Sequence, residues 1–134
     1  MTYEEKISWL SRYREAEKLY QRLSYRLAEA QEATRHITQN LSAAPGGSKD
    51  GQSLARAVER EEEAERRAYA QLAVLDALFA EIDAALVQLD ANEYCALRKY
   101  YLDGLKWEQV AADMNFTSRG IFALRRRAIE HLKL

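Results

Sequence analysis

The residues best suited to do chemistry in this chain lie at its end. Thr117 to Leu134 hold five basic side chains, Arg119, Arg125, Arg126, Arg127 and Lys133, against one acidic, Glu130. Guanidinium groups bind phosphate through short, charge-assisted and often bidentate hydrogen bonds, so such a balance suits a polyanion. The rest of the chain leans the other way. Residues 1–89 carry 12 Lys and Arg against 15 Asp and Glu, residues 90–134 carry 8 against 6, and the whole has a formal net charge of -1. Taken alone, the run Arg125, Arg126, Arg127 points three ways around a helix, and a solvated face is its simpler reading.

Other chemistry finds no constellation. His36 and His131 are far apart with no Cys or carboxylate pattern around them, and read as surface histidines. Cys95 is the one cysteine, which excludes an internal disulfide and a CxxC metal site and reads as a packed or partly exposed thiol. Glu61 to Glu63 read as a solvated face. No Gly-rich phosphate loop, nucleophile motif or partnered carboxylate pair occurs, so neither enzyme activity nor a cofactor is expected. The single thiol and the absence of an opening basic-apolar leader or a long apolar run predict a cytoplasmic chain with no membrane partner.

The elements that position the basic end are helices. In 134 residues there are five Gly and one Pro, with 48% hydrophobic and 31% charged residues, a composition rich in helix formers that predicts an all-α fold. The proline and three of the glycines fall in Ser42 to Gln52, which reads as a loop. The segment before it opens on a capping box, Thr2 with Glu5. Its stripe of Trp9, Tyr13, Ala16, Tyr20, Leu23, Leu27, Ala30, Thr34, Ile37 and Leu41 advances in steps of three and four, as one helix face does. The segment after the loop starts at Ser53 as N-cap, with a stripe of Leu54, Val58, Ala68, Leu72, Leu75, Phe79, Ile82, Leu86 and Leu89.

Folding these two helices back on each other predicts a long antiparallel hairpin over residues 1–89, with its loop at 42–52. Trp9 should face Leu86, Ala16 face Phe79 and Leu23 face Leu72. Glu61 and Glu65 fall on the seam opposite Thr34 and Ala30, so the tip of the hairpin is expected to be splayed, solvated, or bridged by Arg26 or Arg35. A two-helix hairpin buries one face of each helix. It therefore reads either as an intramolecular scaffold or as a surface for a second subunit or another protein.

After Leu89 the rhythm shortens. Asn92 is a candidate cap for a helix to about Leu102, stopped by Asp103 and Gly104. A helix from about Trp107 to Met114 follows, then Asn115 in a left-handed turn position, Phe116 as an apolar plug, and Thr117 capping a last helix with Ile121, Leu124, Ala128 and Leu132 facing inward. Two helices joined so tightly must cross steeply, which is the geometry of a helix-turn-helix over residues 90–134.

The run LRKYYLDGLKWEQVAADMNFTSRGIFALRRRAIEHL, Leu97 to Leu132, resembles sigma-factor region 4 in its Gly-Leu step, its aromatic-Glu-x-apolar-Ala helix and its basic last helix. The overall plan is similar to that of small bacteriophage transcriptional regulators of the ArpU and RinA type. The resemblance covers about a third of the chain. It implies a recognition helix entering the major groove by its N-terminus, with Ser118, Arg119, Phe122 and Ala123 toward the bases and Arg119 as a bidentate guanine contact. It implies phosphate contacts from Arg126 with Arg127 or Arg125, and from Lys106 and Thr117 at the starts of the two helices. Two residues depart from the pattern. Gly120 stands inside the last helix, where it allows a close backbone approach, and Phe122 either touches a thymine methyl group or packs on the hairpin.

The implied function is sequence-specific transcriptional regulation, encoded by a phage or prophage, with double-stranded DNA as partner and RNA polymerase as a second one. A homodimer or other oligomer through the hairpin is expected, because one small reading module rarely supplies enough contacts. The alternatives are a helical protein-interaction adaptor and a DNA-recognition subunit of phage packaging machinery.

Overall fold

A computed structural model of the chain describes residues 1–43 and 48–134, and among them every regular element is a helix. The order is α1 (Tyr3–Ala43), α2 (Ser48–Leu86), α3 (Ala91–Tyr101), α4 (Trp107–Met114) and α5 (Ser118–His131). The fold is thus the expected all-α one, a long helical hairpin followed by three short helices.

The opening cap of α1 forms as a reciprocal pair. The Glu5 N–H donates to Thr2 Oγ1 at 3.2 Å, and the Thr2 N–H to Glu5 Oε2 at 3.1 Å. Along α1 the expected stripe from Trp9 to Leu41 is half-buried throughout, while Leu10, outside it, is fully buried. Of the loop expected at 42–52, residues 42–43 and 48–52 are helical. Helix α1 runs to Ala43 and α2 starts at Ser48, so Ser53 is inside the helix and not its cap; Ala44 to Gly47 lie outside the described residues.

Near the base of the hairpin Tyr13 packs on Phe79, edge to face with centroids 5.8 Å apart, and Arg12 pairs with Glu81 at 3.2 Å. The α2 stripe differs in part. Leu54, Ala57, Glu61, Ala64, Ala68, Gln71, Leu75, Leu78 and Ile82 are covered in an unbroken three-four repeat of heptad type, and Phe79 and Leu86 of the expected stripe are covered as well. Val58 and Leu72, expected inside, are exposed, and so is Glu65. Arg35 pairs with Glu32 on its own helix at 3.1 Å and does not bridge to Glu61.

The chain divides into two compact units, Lys18–Val74 on the one hand and Met1–Glu17 with Leu75–Leu134 on the other. This boundary differs from the one expected at Leu89. The cause is a shared core: Leu10, Ile82 and Leu86 from the hairpin helices are buried with Leu97, Tyr101, Leu102, Ala128, Ile129 and Leu132. A second cluster, Ala96, Val110, Ala111, Ile121 and Leu124, joins α3, α4 and α5. In the other unit only Ala57 and Ala68 are buried among the described residues, and Leu19, Tyr25, Val58, Tyr69, Leu72 and Val74 are exposed.

Candidate nucleic-acid interface

Three caps set the short helices. The cap of α3 is Asp90, not Asn92: its carboxylate accepts from the Glu93 N–H at 2.9 Å. Helix α3 ends on Leu102 as its C-cap, and the chain then turns at Gly104, whose φ of 77° is open to glycine without strain, with the Leu105 N–H donating to the Lys99 carbonyl at 3.0 Å. Helix α4 opens with the Lys106 N–H donating to the Gln109 side chain at 2.9 Å. It ends at Asn115, left-handed at φ 59° and ψ 40°, where the Phe116 N–H donates to the Ala111 carbonyl at 2.8 Å. Thr117 then caps α5, its Oγ1 accepting from the Gly120 N–H at 3.0 Å. Three residues therefore separate α4 from α5, and the Ala111 side chain is small enough for the close crossing.

On α5 the inward face is Ile121, Leu124, Ala128 and Ile129, all buried. The opposite face carries Arg119, Phe122, Ala123 and Arg126, all exposed and spaced as one stripe down the helix, with exposed Ser118 at its start. Exposed Lys106 and Thr117 stand at the N-caps of α4 and α5, where free backbone N–H groups favour anions.

The other two arginines of the run leave this stripe. The Arg125 guanidinium lies 5.3 Å from the centre of the Trp107 ring, and its Nε is buried. Burial pushes the Tyr101 hydroxyl above its usual value, while the nearby Arg125 pulls it the other way. Arg125 is thus placed inward, between α3 and α4. Arg127 lines a shallow recess with Asp90, Glu93, Leu124 and His131 beside the start of α3. In that recess the buried Glu93 carboxylate meets His131 Nδ1 at 2.8 Å. Burial raises the Glu93 carboxyl above its ordinary range, and Asp90 adds to this while His131 opposes it. His131 is therefore a surface histidine with one buried partner.

Sequence reasoning missed what supports Phe122. Trp107 stacks on Tyr100 with centroids 4.4 Å apart and planes 12° from parallel, and Phe122 leans on Trp107 at 6.4 Å. The Arg14 guanidinium sits over Tyr100 at 4.2 Å. The aromatic at the start of α4 was legible as part of a motif, but its pairing with Tyr100, seven residues earlier across a turn, had no local signal. Phe122 does not pack on the hairpin as a buried residue; it is 49% exposed. Gly120 has an internal reason. A Cβ there would stand 3.1 Å from Thr117 Oγ1 and 3.4 Å from Phe116 Cδ2, so the close approach is to its own cap.

Among the described residues no helix is long and apolar enough to cross a membrane, and no group of His, Cys, Asp and Glu could hold a metal ion. Fold and site together define the class as an all-α chain in which a tight turn presents the outer face of a basic helix, on a core completed by the base of a helical hairpin. Comparison with protein-family models, with curated proteins and with solved structures finds no match.

Proposed function

We propose that this protein is a sequence-specific, double-stranded-DNA-binding transcriptional regulator that reads the major groove with α5. The observation that carries the reading is the outward stripe of Arg119, Phe122, Ala123 and Arg126, which opens on the free N–H groups of a capped helix start. Arg119 near that start reads guanine, Arg126 and the exposed side chains of Lys106 and Thr117 take phosphate, and Arg127 lies at the flank. Arg125, held against Trp107, steadies the helix in place of touching DNA. The resemblance to small phage regulators extends the proposal to a phage origin and a contact with RNA polymerase.

The test is selection of bound sequences from random DNA, followed by affinity measurements across salt concentrations. Arg119→Ala should cost a factor of about 5 to 150, the equivalent of one bidentate base contact at about 1–3 kcal/mol. Arg126→Glu should weaken binding to all sequences and flatten the salt dependence by about one phosphate. Binding that is indifferent to both changes would assign the stripe to a protein contact.

A second copy of the chain completes the proposed assembly, joined through the Lys18–Val74 unit. Supporting this is a groove floored by Leu23, Ala30, Ala33 and Ala64 and rimmed by Arg26, Arg56, Arg60 and Arg67 with Glu29, Glu59 and Glu63. Its rim charges nearly balance, which suits pairing with a like surface, and its small floor residues admit another helix closely. The selected DNA site should accordingly be a two-fold repeat.

A further inference from the structure

Phe122 occupies the middle of the exposed α5 stripe, one turn after Arg119 and one turn before Arg126. A large aromatic ring left 49% exposed at such a place is unusual for a surface meant only to meet water or phosphate. It is also held. Trp107 supports one side of the ring at 6.4 Å, Tyr100 stacks on Trp107 at 4.4 Å, and the cations Arg14 and Arg125 lie over Tyr100 and Trp107. Each layer below Phe122 is fixed by the next, so the ring is presented outward at little entropic cost on binding. Beside it Ala123 offers only a methyl group, also exposed.

In the major groove one base edge alone offers an apolar knob, the C5 methyl of thymine; the other base edges there show donors, acceptors or a bare C–H. We infer that Phe122 and Ala123 form an apolar reader of thymine methyl groups, set between the base contact of Arg119 and the phosphate contact of Arg126. The target site therefore carries thymine within one or two base pairs of the guanine that Arg119 reads. This inference rests on the proposed DNA reading and adds to it a mechanism of discrimination that needs no hydrogen bond. It also gives a reason for the departure of Phe122 from the pattern that the chain otherwise resembles.

The experiment uses the full chain and its selected DNA, with thymine replaced by deoxyuracil one position at a time. Base pairing is kept and only the methyl is lost. At one or two adjacent positions the wild-type protein should lose about fourfold in affinity per methyl, the value of one buried carbon in apolar transfer. Phe122→Ala, checked for unchanged helical content and melting, should bind the thymine site more weakly and show no further loss with deoxyuracil. Arg119→Ala should keep the methyl dependence. Wild-type binding equal on thymine and deoxyuracil at every position would overturn the inference while leaving DNA binding in place, and would assign Phe122 to a protein contact. Failure to select any DNA would overturn both.

Discussion

Gly120 stands at the third position of α5, where alanine would ordinarily improve a helix by about 1 kcal/mol. Here the added Cβ would crowd the hydroxyl that caps the same helix, 3.1 Å away. The two effects oppose each other and are coupled through Thr117. Thr117→Ala should cost about 1 kcal/mol by removing the cap. In that background the crowding oxygen is gone, so Gly120→Ala should stabilise by more than it does in the wild type. A double-mutant cycle by urea unfolding reads the coupling, and strictly additive changes would show that the crowding is relieved without cost. A second residue prediction concerns pH. Because the folded state holds the Glu93 proton more tightly than the unfolded chain does, the stability linked to that proton is complete below the ordinary carboxylate value, about 4.3. It is lost as pH rises through the higher folded-state value. Asp90 runs oppositely: hydrogen bonds from Glu93 hold its carboxyl down, so its contribution is lost as pH falls. Glu93→Gln should therefore gain melting temperature relative to wild type as pH rises through the carboxylate range, and a constant difference across that range would contradict the assignment.

At the scale of elements, spacing alone does not choose the inner face of α2, because the expected and the covered positions both advance in steps of three and four. Val58 and Leu72 are large and apolar and so suit an inner stripe, yet both are exposed, and the covered positions beside them are Ala57 and Gln71. Leu75→Ala should accordingly cost about 2–5 kcal/mol. Leu72→Ala should change the stability of a dilute monomer by about 0.5 kcal/mol or less. Equal losses in chemical unfolding would restore the stripe that the sequence suggested. The short helices were far more legible, because caps and left-handed stops are local signals: Asn115, Thr117 and Gly104 each act where their residue type predicts. Asp90 and Asn92 are both residue types that cap, and the Glu93 N–H donating to Asp90 decides between them. The outward stripe of α5 could be read from its period. The same period sets Arg125 on the inward side, four residues after Ile121 and four before Ile129, but not its partner Trp107, which arrives from another helix.

For the molecule as a whole, the consequential difference is where the C-terminal unit ends. A helix-turn-helix segment of residues 90–134 reads as self-contained, with its own inward stripe, but half of that stripe has its partners elsewhere. Tyr101, Leu102, Ile129 and Leu132 are buried against Leu10, Ile82 and Leu86, which arrive from the first turns of α1 and the last of α2. Contacts between residues so distant in sequence leave no periodic trace. Fewer than 50 residues, deprived of one of two core clusters, fall below the size at which apolar burial offsets chain entropy. The fragment 90–134 alone should therefore lack cooperative unfolding and dispersed amide shifts, and should bind DNA only at low salt. In the full chain Leu10→Ala should cost about 2–5 kcal/mol and should disturb the amide resonances of α3 and α5 although residue 10 lies far before them in sequence. A fragment 90–134 that melts cooperatively, together with α3 and α5 resonances unmoved by Leu10→Ala, would mean that the base of the hairpin merely rests on a unit that folds without it.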